Sequence, residues 1–113
     1  MEIKGFDFGH VRIDDVIYTR DVVIYPDRIE TNWWRDATHL VQIKDLQSVI
    51  NTLPQVLIIG TGVYNKMQID ENIRKECELK GIKLITEETS KACEIYNELK
   101  KQPLKIVTAL HIT

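Results

Sequence analysis

Three sets of residues in this chain have the types and spacing to do chemistry. The first is Gly60-Thr61-Gly62, which closes the apolar run Val56-Leu57-Ile58-Ile59. Glycines there would let the backbone turn sharply and offer N–H groups to an anion, with Lys66 within reach as a countercharge. The residues after Gly62 are Val63-Tyr64-Asn65-Lys66-Met67. They supply neither the Gly-Lys-Ser/Thr of a phosphate loop nor the third glycine of a dinucleotide fold. A tight structural turn is the simpler reading. The second set is Thr86-Glu87-Glu88-Thr89, which follows the apolar residues 82–85. Paired carboxylates serve as acid and base only if burial raises one of them. Acids in the first turn of a helix also simply favour its dipole, and that is the plainer account.

The third set is Trp33-Trp34-Arg35-Asp36, with His39 beyond it. Neighbours in an extended segment point to opposite faces, so one tryptophan enters the core and the other meets solvent. Trp and Arg dominate binding hot spots, which makes Trp34, Arg35, Asp36 and His39 a candidate partner-binding surface. Alternatively, Arg35 pairs with Asp36 or another acid and the tryptophans close a sheet edge. His10, His39 and His111 are scattered, and Cys77 and Cys93 form no Cys-x-x-Cys pair. No metal site and no cofactor is expected from such spacing. His111 reads as a satisfied structural histidine, and the cysteines as half-buried free thiols.

The elements that must position these residues follow from pattern and length. With 113 residues the chain is one domain. A formal net charge of −2 and no Lys/Arg run argue against nucleic acid or an anionic membrane as partner. No apolar stretch reaches membrane-spanning length, and Met-Glu-Ile-Lys-Gly lacks the apolar core of a signal peptide. The expectation is a soluble, cytoplasmic protein. Residues 3–8, 11–13, 16–19 and 22–25 read as short strands in antiparallel hairpins, with residues 28–34 extended after Pro26-Asp27. Asp45 is expected to cap a helix through Asn51, and Pro54 ends it. An α/β rhythm then takes over. A buried strand spans 55–60, a helix 70–80 with Gly81 behind it, and a strand 82–85. A helix over 88–101 and a strand over 104–112 follow. Right-handed crossovers make that core parallel.

The chain also resembles a small family of uncharacterised domains from archaea, bacteria and eukaryotes. That family includes an adipogenesis-associated protein and a mitochondrial complex I assembly factor. The residues that carry the resemblance run through most of the sequence. They are Phe8-Gly9 with Val11-Arg12-Ile13-Asp14, Trp33-Trp34-Arg35-Asp36 and Leu57-Ile58-Ile59-Gly60-Thr61-Gly62. Lys80-Gly81-Ile82, the segment 89–99 with Ala92, Tyr96 and Asn97, and Ala109-Leu110-His111 complete them. The tryptophan segment is similar to the family's Trp-x-Trp-Arg-Glu pattern, although the two tryptophans here are adjacent. The resemblance implies a three-layer α/β domain with a central mixed, largely parallel sheet and an added amino-terminal antiparallel β layer. It implies no reaction, and it implies action through protein partners.

Two functions are therefore expected to compete. One is a non-enzymatic protein-interaction or assembly module using Trp34, Arg35, Asp36 and His39, with self-association left open. The other is an anionic-ligand-binding domain or enzyme at the strand ends, using Gly60, Thr61, Gly62, Lys66, Thr86 and Glu87.

Overall fold

Short β-branched runs separated by turn residues fold into hairpins, and the first third of the chain does so. In the computed structural model, which describes residues 1–113, β1 (Ile3–Asp7), β2 (His10–Ile13) and β3 (Val16–Tyr18) form an antiparallel sheet. Its turns are made by Gly9 and Asp14, both at positive φ. A second hairpin, β4 (Val22–Ile24) with β5 (Ile29–Thr31), enters the main sheet.

The rest alternates. After β6 (Leu40–Val41) come α1 (Ile43–Asn51), β7 (Val56–Thr61), β8 (Gln68–Ile69) and α2 (Glu71–Leu79). Then follow β9 (Lys83–Glu87), α3 (Thr89–Leu99) and β10 (Ile106–His111). The five-stranded central sheet has the order β5-β4-β10-β7-β9. Strands β10, β7 and β9 run parallel, while β4 and β5 are antiparallel additions on one side. Every residue of β7 and β10 is buried, as continuous apolar strands covered on both faces must be.

Those two faces make two cores. Leu57, Ile59, Val107 and Ala109 pack against Leu46, Val49 and Ile50 of α1 and Ile73 and Cys77 of α2. Ile58, Ile106 and Leu110 meet Ala92, Cys93 and Tyr96 of α3 together with Ile3, Val11 and Ile13 of the small sheet. The architecture is a mixed α/β domain in three layers, with the small β1–β2–β3 sheet sharing a layer with α3.

Several boundaries differ from the pattern-based expectation, each for a local reason. Helix α1 begins at Ile43, which packs against the core, so Gln42 is the cap. Asp45 sits one turn inside and accepts the Gln42 N–H at 2.8 Å. Asn32, at φ 60°, breaks the extended run after Thr31. Leu79 is 82% exposed instead of lining the apolar side of α2. It lies about 200° round the helix from the buried Cys77. Helix α3 is shorter than 88–101, with Glu88 and Lys100 as its flanking residues. The parallel pair β6 and β8 is two residues long on each side, too short for periodicity to reveal. Gly81 behaves as expected: its N–H reaches the Glu78 carbonyl and that of Ile82 the Cys77 carbonyl, a Schellman ending.

Candidate functional site

Strand register assembles a polar cluster at the carboxyl ends of the parallel strands. Leu110 pairs with Val22 across the antiparallel β10–β4 ladder, so Asp21 falls beside His111. In the parallel ladder on the other side, His111 pairs with Thr61. Side chains alternate along strands. Asp21, Thr61 and His111 therefore continue the face that carries Val23, Ile59 and Ala109. The chain then returns from β5, and Trp33 N–H bonds the Asp21 carbonyl at 2.8 Å. That return delivers Trp33 and Arg35 to the same place.

Asp21, Arg35 and His111 form a buried triangle. Arg35 Nη2 donates to Asp21 Oδ2 at 2.8 Å, and the Arg35 side chain is only 5% exposed. His111 Nδ1 lies 2.9 Å from the same oxygen, while Asp21 Oδ1 accepts the Ile112 N–H at 2.9 Å. Two acceptors would repel at that distance, so geometry assigns a hydrogen to Nδ1. Its 3.1 Å separation from Arg35 Nη2 is then proximity of two donors around one carboxylate. Burial alone would raise the Asp21 carboxyl, but the His111 hydrogen bond, the Ile112 N–H and the neighbouring charges outweigh it and hold it below its ordinary value. Arg35 also stacks over the Trp33 ring, with Cζ 4.5 Å from the centroid. Trp33 Nε1–H donates to the Asp45 carbonyl at 3.0 Å, which ties the triangle to α1.

A cavity of about 20 Å³ opens beside the triangle, lined by His39, Thr61, Gly62, Tyr64, Lys66, His111 and Thr113. By that measure it holds one or two oxygen-sized atoms. The short β6–β8 pair builds its wall, because Gln68 N–H bonds the His39 carbonyl and Met67 N–H bonds that of Thr61. Thr89, in the first turn of α3, ties two lining residues together from behind: its hydroxyl donates to the His111 carbonyl and accepts the Gly62 N–H at 2.8 Å. Roomier hollows lie at the opposite end of the sheet, around Tyr25 and Pro26. Their lysines are engaged, Lys100 with the Met1 carbonyl and Lys105 with that of Thr52.

The residues singled out from sequence divide sharply. Thr61, Gly62 and Lys66 line the cavity, and His39 joins them there. Gly60 does not: a Cβ on it would lie 2.9 Å from Thr89 Oγ1, so its bareness serves packing. Thr86 faces Arg74 of α2 across 3.4 Å, and Glu87 contributes its carbonyl to the Thr61 hydroxyl. Neither lines the cavity, because β9 is the sheet edge, separated by β7 from the strand that carries His111. Trp34 is 71% exposed while Trp33 is buried. Arg35 is a correction: it points inward to Asp21 and not to the surface, so its substitution tests stability before it tests binding. Asp36 pairs with Lys44 instead of Arg35. Sequence reasoning missed Asp21, and it grouped Thr89 with the acids Glu87 and Glu88 rather than with Gly62 and His111, which it bonds. Asp21 lies in the turn between two apolar runs, where an acid looks ordinary.

The whole fold also has relatives. Residues 3–111 match the family described as protein of unknown function (DUF498/DUF598). The chain belongs to that family. A conserved hypothetical protein from Pyrococcus horikoshii is 27% identical, with a TM-score of 0.83 over 100% of this chain and 99% of that one. An outer membrane protein from Bartonella henselae is 22% identical, with a TM-score of 0.82 over 97% and 92%. A Bordetella pertussis protein described as a Mth938-like domain is 15% identical, with a TM-score of 0.73 over 98% and 85%. The last two likenesses concern the fold alone. The DUF498/DUF598 assignment carries no specific function, and no helix of this member is long and apolar enough to cross a membrane.

Proposed function

We propose that this DUF498/DUF598 domain is a small non-enzymatic protein-interaction or assembly module of the cytoplasm, with Trp34 as its anchor. One observation carries the reading. Trp34 is 71% exposed, yet the segment that presents it is fixed from within by its two neighbours. Trp33 is buried and bonded to α1, and Arg35 is locked in the Asp21 ion pair. A large aromatic held rigidly in solvent loses little entropy on binding, which is the property that hot-spot tryptophans share. Asp36 and the exposed His39 provide polar groups beside it, as an interface rim requires. The resemblance to an adipogenesis-associated protein and a complex I assembly factor supports the same reading.

The test is a photo-crosslinking amino acid at position 34, with one at the exposed Leu79 as control, followed by purification of the captured protein. The purified pair should bind, and Trp34→Ala should weaken binding by about thirtyfold, the effect of losing a hot-spot side chain. An unchanged affinity in that variant refutes the proposal. Gel filtration of the same variants reports whether the partner is a second copy of the chain.

A further inference from the structure

His111 is oriented in a way that a purely structural histidine does not need. Its Nδ1 edge is fixed on Asp21, and its Cδ2 edge lies against Gly62, where a Cβ would come within 3.0 Å. The side chain is only 5% exposed, and Nε2, next to Cδ2, has no hydrogen-bond partner in the protein while the ring lines the cavity. With Nδ1 carrying a hydrogen, neutral His111 turns a lone pair toward that space, and protonated His111 turns an N–H toward it.

An anion seated in that space would favour the second form. Packed round His111 are Asp21 before β4, Arg35 and His39 in the 32–41 segment, and Tyr64 and Lys66 in the turn after β7. Glu87 is exposed at the end of β9, and Glu88 is turned to the Ser90 hydroxyl. Asp21 is neutralised by Arg35. At the cavity mouth the flexible charge is Lys66, with His39 edge-on to His111 at 6.1 Å between centroids. Gly62, at φ 101°, keeps the space open.

We propose that this cavity is a proton-coupled oxyanion site. One oxygen of a carboxylate or phosphate group seats against Nε2–H of His111, and Lys66 and His39 hold its charge from the rim. His111 takes one proton from solvent as the anion enters. The small volume sets the geometry: a single oxygen enters and the remainder of the ligand stays outside, between Tyr64 and Lys66. This function shares His39 with the rim of the Trp34 surface, but it does not depend on Trp34 binding a partner.

The experiment is an NMR titration of the His111 and His39 imidazoles against pH, with no anion, with inorganic phosphate and with acetate. The expected result is a higher His111 midpoint in the presence of one of the anions. By linkage, its dissociation constant weakens by up to about tenfold per pH unit above the free midpoint. A larger response to acetate assigns a carboxylate ligand, and a larger response to phosphate a phosphate ester. His111→Gln should abolish the pH dependence. Should that variant fail to fold, Lys66→Gln, at an exposed position, should still weaken the anion several-fold with the amide spectrum unchanged. A His111 midpoint that neither anion moves, a pH-independent affinity, or a Lys66→Gln variant that binds like wild type overturns the proposal.

Discussion

Asp21→Asn removes one charge from the triangle and keeps the shape of the side chain, so its effect can be worked out from the contacts. The asparagine oxygen can still accept the Ile112 N–H that the carboxylate accepts at 2.9 Å. The new amide would face His111 Nδ1 and Arg35 Nη2, a donor placed against two donors. His111 can relieve one clash by moving its hydrogen to Nε2 and accepting at Nδ1. Arg35 has no such escape. Its side chain is 5% exposed, Nε and Nη1 already lack partners, and the Thr38 carbonyl at 3.4 Å is its one other acceptor. Stranding a buried charge in this way costs about 3–5 kcal/mol. The Asp21 side chain is 15% exposed, so water screens part of the loss and the low end, about 3 kcal/mol, is expected. For a chain of this size that lowers Tm by about 12 °C.

Chemical denaturation of wild type, Asp21→Asn, Arg35→Met and the double variant measures the quantity directly. The double variant should be less destabilised than the sum of the singles, because the methionine leaves no charge to strand. The acid limb supplies a second check. The Asp21 carboxyl lies below its ordinary 3.8 in the folded state, so its stabilisation is present above that value and is lost as pH falls through the lower folded one. Wild type should therefore lose stability more steeply below about pH 4 than Asp21→Asn does. An Asp21→Asn variant within about 1 kcal/mol of wild type, or strictly additive single effects, would show that Arg35 is compensated some other way.

Other consequences are equally direct. Gly60→Ala should destabilise by about 1–3 kcal/mol, read by denaturation, because its Cβ would sit 2.9 Å from Thr89 Oγ1 and 3.2 Å from Thr89 Cα. Acrylamide should quench Trp34 and spare Trp33, which single Trp→Phe variants will separate by fluorescence. Cys93, with its thiol pushed up to about 12 by burial, and Cys77, raised for the same reason, should resist iodoacetamide at neutral pH until the chain is unfolded.

Much of the fold was legible because it rests on local signals. The apolar run ending in Gly60 announced a doubly covered strand, Gly81 a helix ending, and the segments around Asp14 and Gly9 their hairpins. The elements that could not be read are those whose stability is borrowed from elsewhere. Two-residue strands such as β6 and β8 have no period, and exist because Leu40 and Val41 find a ladder already held beside them. The start of α1 was displaced because Ile43 packs on the core, a tertiary reason that outweighs the capping preference of Asp45.

The site shows a different limit. Thr61, Gly62 and Lys66 were found because a glycine turn after a buried strand is a local pattern. The Asp21–Arg35–His111 triangle joins residues 90 apart in the chain, and no spacing rule connects them. Yet one half of it follows once Trp33 is known to be the buried tryptophan. Alternation separates Trp33 from Trp34, and the same alternation returns Arg35 to the side of Trp33. An inward tryptophan therefore demanded an inward arginine, and a buried arginine demands an acid. Asp36 could not be that acid, because alternation turns it outward with Trp34, where it meets Lys44. The partner had to come from another strand. Asp21 supplies it, one residue before β4, because the antiparallel β4–β10 register sets that position beside His111. The need for a distant carboxylate thus follows from the burial of Trp33, and the sheet order decides which one it is.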